Sequence, residues 1–518
     1  MQNKKLKQIL VLALPLLLKY VFFFVFVDWR VFDSEDIKED VIFFGLIALL
    51  IQTKLFQKQF FKTLLLFVYL LYIVLETTSY LAVSSTFSSS YMYLLLESSS
   101  AELKEFAGGY FSWPILLVFL INIFFFFRLR KIAWNANYKQ SNLLGLLSFA
   151  IILVVLKFTG LIESNAYHNA VRGSYGYYKL QKNMQLASAI NKSDVKVTSD
   201  NEVLVLVLGE STDRNHMQIY GYNRQTTPNL NVLKDELYVF DNVISTEVFT
   251  LKAVPKILTS LNHNSNGEDL VDIVQVFKTA GYDTYWLSNQ RPISFHDNAI
   301  SNIASGSKTF QFYNHQIDRD AKVLDEALLP DYSEILKKEG KKLIVLRLIG
   351  THFDYINRYP YAFEKFKSVD ASKKEKLIDE YDNAILYNDF ILNKIISELK
   401  AQNQKSALLY ISDHGENIYD YGTDFFGRSE EVITKNMFEI PFLFWASESF
   451  NYPDDFEYQK NRAFTSQFTY ESLGHIFGVM HTNMNAEKSI FSNSYKQKKR
   501  IIVGDKDFDI YFKKKSNE

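Results

Sequence analysis

The 518-residue chain contains no cysteine, so it folds without disulfides. It has no excess of either charge; a net charge of −1 offers no broad basic face and argues against nucleic-acid binding. No internal repeat is present, which excludes solenoids and propellers, and the only low-complexity tract is serine-rich, within SSTFSSSYMYLLLESSSAELKEF. The first apolar stretch lacks a small-residue cleavage site and is too long for a removed signal peptide, so it is expected to stay as a membrane anchor.

What is present is distributed very unevenly. Hydrophobic residues make up 48% of the chain, but five long apolar stretches crowd the N-terminal third, at roughly 8–27, 41–56, 63–84, 113–127 and 143–161. A hydrocarbon core about 30 Å thick needs about 20 helical residues. The first, third and fifth stretches satisfy this easily, and the second and fourth borrow from their flanks, so five transmembrane helices are expected in a domain spanning 1–162. Lys4, Lys5 and Lys7, then Lys54, Lys58 and Lys62, then Arg128, Arg130, Lys131 and Lys139 fall on one side of such a topology, which basic loops assign to the cytoplasm. The acidic segment DWRVFDSEDIKED reads as a loop on the other side, together with everything after the fifth helix.

Within these stretches Lys19, Glu76 and Lys157 are costly by position. Snorkelling towards an interface is expected for Glu76 and Lys157; for Lys19 snorkelling and a polar path inside the bundle stand level. The serine-rich connection reads as amphipathic, lying on the outer membrane surface or serving as a plain connector. Residues 163–200 turn polar and read as a tether with one surface helix.

Residues 201–518 are enough for one large α/β domain. EVLVLVLGE, KLIVLRLIGTH and SALLYISDH are continuous apolar runs, as strands buried on both faces require, and helix-like segments lie between them. The alternation predicts a mostly parallel, doubly wound sheet. Each run ends in polar residues: Glu210, His352, and the pair Asp413 and His414. Ligands bind outside the carboxyl ends of the strands in such sheets, so these tips are expected to converge. Two carboxylates and an imidazole suit zinc or manganese. A nucleophile is expected in STEVFTLKAVPKILTS, where Ser245, Thr246, Thr250 and Thr259 compete and composition does not choose; Thr250 opens a helical stretch, where backbone N–H groups favour an anion. Pro255 is awkward inside a helix, so the regular helix is expected to settle near it.

With these residues in hand, the chain resembles the lipid A and lipopolysaccharide-core phosphoethanolamine transferases, membrane-anchored members of the alkaline phosphatase and sulfatase superfamily. VLGESTDRNHMQIYGYNRQTTPNL resembles the family's GE(S/T) segment with its GY-x-R-x-T-x-P continuation, FTLKAVP its nucleophile segment, and GTHFDYINRYP, YDNAILYNDF and SDHGE three further blocks. The resemblance implies an inner-membrane, multi-pass protein with a periplasmic catalytic domain. It implies Zn2+ held by Glu210, Thr250, Asp413 and His414, with Thr250 as the nucleophile on phosphatidylethanolamine and a lipopolysaccharide or other glycolipid as acceptor. Substrate contacts are implied for His352, for Asn289 in WLSNQ, and for Glu102 in a stretch resembling E-S-x-x-AE.

Two departures stand out. A cysteine-bounded loop with a lysine is absent after WLSNQ, leaving Arg291 or His296 as replacements, and a family histidine is replaced by Phe426 in DFFGRSEE, which leans towards the core-sugar branch. The rival readings are a phosphoglycerol transferase of the lipoteichoic-acid-synthase type, a sulfatase, disfavoured because no C/S-x-P-x-R context surrounds Thr250, and a non-catalytic glycolipid-binding membrane protein.

Overall fold

All five apolar stretches are helical in the structure, a computed structural model that describes residues 2–27, 34–83, 86–97, 111–134, 142–159, 161–265, 267–290, 299–314, 323–420 and 425–515. They form α1 (Gln2–Phe26), α2 (Ser34–Leu50), α3 (Gln59–Val83), α4 (Trp113–Arg130) and α5 (Asn142–Phe158). A helix satisfies every backbone polar group within its own segment, as a bilayer demands. Three of them, α1, α3 and α4, are long and apolar enough to cross a membrane over Leu6–Phe26, Gln59–Ala82 and Trp113–Arg130. Helix α4 starts with Pro114 in its first turn and ends with Arg128 and Arg130 in its last, the charge arrangement that complements a helix dipole.

The chain divides into two compact units, one built from Met1–Leu96 and Phe106–Tyr177 and the other containing Tyr178–Glu518. In the first unit the acidic segment differs from its reading as a loop. Helix α2 begins at Ser34, so Asp36, Glu39 and Asp40 are helical and buried. Asp40 Oδ2 pairs with Lys19 Nζ at 2.7 Å, and its Oδ1 accepts from Tyr72 at 2.8 Å. Lys19 therefore does not snorkel; α2 supplies the counter-charge that a buried ammonium requires. Glu76, expected at an interface, is buried as well, and only Lys157 is exposed. The serine-rich connection contains a short helix, Ser89–Glu97.

The second unit is built on a seven-stranded sheet. Its strands in chain order are β1 (Val203–Gly209), β2 (Leu237–Val239), β3 (Asp283–Ser288), β4 (Thr309–Phe312), β5 (Lys342–Arg347), β6 (Ser406–Ser412) and β7 (Phe442–Ala446). Across the sheet they lie in the order β2-β7-β6-β1-β5-β3-β4. The pairs joining β6, β1, β5, β3 and β4 are parallel, whereas β7 runs antiparallel to both neighbours, so the sheet is mixed. Strands β1, β5 and β6 are buried at every residue, as their unbroken apolar runs require. Each fully buried Leu, Ile or Val contributes roughly 1.5–3 kcal/mol relative to exposure.

Two helices of this unit carry side chains that contact the segment after β1: α6 (Thr250–Leu258) and α7 (Lys373–Lys400). Helix α7 opens with a capping box between Ser372 and Glu375, and α6 begins at Thr250 itself. Pro255 lies inside α6 instead of starting it; the ring removes only the N–H that would have bonded the Leu251 carbonyl, at the second turn of a nine-residue helix.

Candidate active site

The site starts from strand register. In the parallel pair β1 and β6, Gly209 stands opposite Ser412, so the next residue on each strand, Glu210 and Asp413, leaves the sheet beside the other. His414 follows at once, and one ligand atom from each of Glu210, Asp413 and His414 lies within 4.8 Å of the others. All three are buried. Gly415 allows the turn: a Cβ there would sit 2.0 Å from the Asn436 carbonyl oxygen, so the position after His414 admits no side chain.

Each ligand candidate is held on its far side. Asp413 Oδ1 accepts from the backbone N–H groups of Ser211 at 3.2 Å and His414 at 2.8 Å. Its Oδ2 is buried without a hydrogen-bond partner among the described residues, 3.3 Å from His414 Nε2. His414 Nδ1 lies 2.9 Å from the Gly415 carbonyl, which can only accept, so Nδ1 carries the proton and Nε2 offers a lone pair to the cluster. Glu210 accepts from Ser211 Oγ at 3.0 Å through Oε1 and from Gln290 Nε2 at 2.7 Å through Oε2.

Of the four competing hydroxyls, the structure brings Thr250 to the cluster. Its Oγ1 is 3.1 Å from each Glu210 oxygen and 3.3 Å from His414 Nε2. Ser245 instead donates to backbone carbonyls, including that of Asp413 at 2.6 Å, and Thr259 donates to the Pro255 carbonyl at 2.7 Å. Thr246 Oγ1 is buried and contacts none of the three ligands through a hydrogen bond. Thr250 stands at the first position of α6, where N–H groups have no partner within the helix, so the hydroxyl faces both the Glu210 carboxylate and a partial positive charge.

The electrostatics show what the cluster lacks. Burial pushes Asp413 up, and the neighbouring charge of Glu210 adds to it. Burial also acts to raise Glu210, but the neighbouring His414, His352 and Arg428 outweigh it and hold Glu210 well below the usual carboxylate range. Two buried carboxylates side by side drive one ionised and one protonated unless a cation joins them. The donor set of two carboxylates, one neutral imidazole nitrogen and one hydroxyl suits a divalent cation, and the orphaned Asp413 Oδ2 supplies a place for it.

The remaining expected residues divide. His352 follows β5 and acts electrostatically on Glu210; Arg358 pins its segment by donating to the His352 carbonyl at 2.8 Å. Asn289 does not reach the cluster: its Nδ2 donates to Asp325 at 2.9 Å and the Val323 carbonyl at 3.0 Å, tying the loop after β3 to the segment that leads from β4 to β5. Its neighbour Gln290 reaches Glu210 instead. Glu102, Arg291 and His296 lie outside the described residues. Phe426, standing where the family histidine was expected, packs against Phe353, Tyr355 and Tyr419 with ring centroids 5.3, 6.4 and 5.9 Å away. Arg428, two residues later, enters the cluster. Sequence reasoning missed Gln290 and Arg428, although each stands within two residues of a position it had singled out.

Residues 202–479 match the sulfatase family, and the fold and metal-ligand cluster agree with that class, so the chain belongs to it. Within the class, phosphoethanolamine transferase CptA of Salmonella typhimurium is 30% identical over 475 residues, covering 82% of this chain and 81% of that protein. The C-terminal periplasmic domain of EptC from Escherichia coli, crystallised in complex with Zn, is 30% identical, covers 63% of this chain and 96% of its own, and superposes with a TM-score of 0.58. Lipooligosaccharide phosphoethanolamine transferase A of Neisseria meningitidis, an integral membrane protein, covers 93% of this chain and 97% of its own with a TM-score of 0.68; at 19% identity it shows a shared fold. The chain belongs to the phosphoethanolamine transferase family.

Proposed function

We propose that the protein transfers phosphoethanolamine from phosphatidylethanolamine to a cell-envelope glycolipid, a lipopolysaccharide core sugar or lipid A, with Thr250 as the nucleophile. The observation that carries the reading is the position of Thr250 Oγ1, within 3.3 Å of both Glu210 and His414 beside the unpartnered oxygen of Asp413. Glu210, Asp413, His414 and Thr250 would hold one divalent ion, Zn2+ by the chemistry of the donor set, with Mn2+ an acceptable substitute. Such an ion lowers the pKa of a bound hydroxyl and offsets charge on phosphoryl oxygens.

The chain's own groups account for the rest. Glu210 accepts the Thr250 hydroxyl hydrogen and orients Oγ1. Oγ1 attacks phosphorus, the bond from phosphorus to the glyceride oxygen breaks, and diacylglycerol leaves with a proton. The phosphoethanolamine ester on Thr250 then passes to an acceptor oxygen, which restores the hydroxyl. The first N–H groups of α6 and the imidazole of His352 favour the negative charge that develops on the phosphoryl oxygens. Roles in substrate contact are proposed for His352, and for Glu102 from its sequence context. Asn289 supports the loop that carries Gln290.

Helices α1 to α5 are proposed to cross the inner membrane, with the second unit in the periplasm, as the distribution of Lys and Arg favours. A phosphoglycerol transferase is less well supported, since CptA and EptC, both about 30% identical, are phosphoethanolamine transferases by name. Mass spectrometry of envelope glycolipids from cells with and without the gene, beside a Thr250→Ala strain, tests the reading. The expected result is one added phosphoethanolamine that depends on Thr250; an addition persisting in the variant contradicts it.

A further inference from the structure

Arg428 is nearly buried, yet it is not packed away from the chemistry. Its Nη1 donates to His414 Nε2 and lies 3.4 Å from Glu210 Oε1, while its Nε lies 3.8 Å from Glu416 Oε1. The local chain aims it. Phe426 is locked among Phe353, Tyr355 and Tyr419, and Gly427 turns the backbone through a φ of 96°, a left-handed conformation that suits glycine. Ser429 N–H then bonds Met437 Sδ at 3.3 Å, so the residue between is directed inward.

This placement sets a charge problem. The guanidinium is always protonated and shares His414 Nε2 as a neighbour with Thr250 Oγ1. A divalent ion on Glu210, Asp413 and His414 would take the Nε2 lone pair to which Arg428 donates, so the guanidinium would have to release it; Glu416 offsets part of its charge, and the remainder opposes the ion. An aspartate or an apolar residue would not oppose the metal in this way. An anion with several oxygens between the two cations turns the repulsion into a clamp, and the planar fork of arginine fits two phosphoryl oxygens. The phosphorus atom attacked by Thr250 must lie within bonding reach of Oγ1, so its non-bridging oxygens fall in the region where the guanidinium points.

We infer that Arg428 is a catalytic residue that binds the non-bridging oxygens of the transferred phosphoryl group, both in the lipid donor and in the ester on Thr250. The inference rests on the phosphoryl-transfer reading above. It separates two tasks in one small cluster: Glu210, Asp413 and His414 hold the metal, and Arg428 holds the phosphate.

The test uses the full chain in lipid nanodiscs, as wild type, Arg428→Gln and Arg428→Lys, with three readouts: bound zinc, competitive inhibition by inorganic phosphate, and kcat with KM for phosphoethanolamine transfer. For Arg428→Gln the expected result is unchanged zinc content, phosphate inhibition weakened by about tenfold or more, and kcat lowered by about 10²- to 10³-fold, the size seen when a preorganised oxyanion donor is removed. Arg428→Lys, which keeps the charge without the fork, should keep its zinc and fall between the other two; it also decides the matter if the glutamine variant does not fold. Unchanged phosphate inhibition, or a loss of zinc in step with the loss of activity, would overturn the inference. Should wild type transfer no phosphoethanolamine, the functional reading fails, while phosphate binding, measured by its displacement of vanadate, still decides the role of Arg428.

Discussion

Among the described residues the second unit contains two clusters of nearly the same composition, and they differ in what their neighbours leave unmet. Glu210, Asp413 and His414 form one; Asp213, His216 and Asp420 form the other. His216 is closed on both sides, with Nδ1 2.8 Å from Asp382 and Nε2 3.2 Å from Asp420. Asp213 is satisfied too, by Asn215 at 2.9 Å and Asn436 at 2.6 Å. Asp382, on α7, also takes Tyr222 at 3.0 Å and Arg224 at 2.8 Å, so this cluster ties the GY-x-R-x-T-x-P segment to that helix. The other cluster leaves an Asp413 oxygen without a hydrogen bond and places a hydroxyl against its Glu. Residue type does not tell the two apart; the unmet carboxylate oxygen beside a hydroxyl does.

The largest expected effect separates the clusters by metal. Asp413→Asn or Glu210→Gln should lower transfer by about 10³-fold or more and abolish zinc retention, since residues acting as one unit fail together. His216→Gln should keep its zinc, measured on the same purified protein. If it loses metal as Asp413→Asn does, the comparison collapses.

Stability should divide the opposite way. Burial acts to lower the pKa of His216, but hydrogen bonds and charge from Asp382 and Asp420 push it up to about 10. A folded pKa above the unfolded value of about 6.5 gives stability that is complete below about pH 6.5 and is lost as pH rises through about 10. His216→Gln leaves carboxylates without their partner and should cost about 3 kcal/mol near pH 6 by denaturant titration. That deficit should shrink as pH approaches 10; a deficit independent of pH would show that His216 is neutral in the fold. Asp213, which burial pushes up to about 7 against the charge of His216, favours the same direction, because a buried carboxyl raised above its unfolded value destabilises the fold once it ionises.

A smaller effect is expected in the first unit. Lys19→Met strands Asp40, whereas Lys19→Met with Asp40→Asn removes both charges, so thermal unfolding in nanodiscs should find the double variant more stable than the single one. Equal losses would mean that the pair is not coupled. The smallest effect is expected from Phe426→Leu, which keeps the apolar anchor behind Arg428 and should change transfer by only a few-fold. A loss as large as that of Arg428→Gln would show that the ring itself meets substrate.

How much of this was legible in the sequence depends on how each residue reaches the site. Glu210 and Asp413 follow continuously buried strands without an intervening turn, so the apolar runs point directly to them. Thr250 was one hydroxyl among four until the resemblance gave its spacing from Pro255, because hydroxyl positions carry no periodic signal. Asn289 and Gln290 differ by one step in the loop after β3; neighbouring side chains there point to opposite sides, and the sequence does not state which faces Glu210. Arg428 depends on the left-handed turn at Gly427, and the Lys19–Asp40 pair on where α2 begins, neither of which hydrophobic patterning records. The reversed strand β7 was equally hidden, since FLFWA is as apolar as the strands of the parallel part of the sheet and direction leaves no mark on composition.

The central claim is that Thr250 carries the transferred group. Full-length protein incubated with phosphatidylethanolamine and quenched in acid should give, on peptide mass spectrometry, a phosphoethanolamine adduct on the peptide containing Thr250 that is absent after chelation of the metal. An adduct on another residue, or transfer that proceeds in Thr250→Ala, would contradict the account.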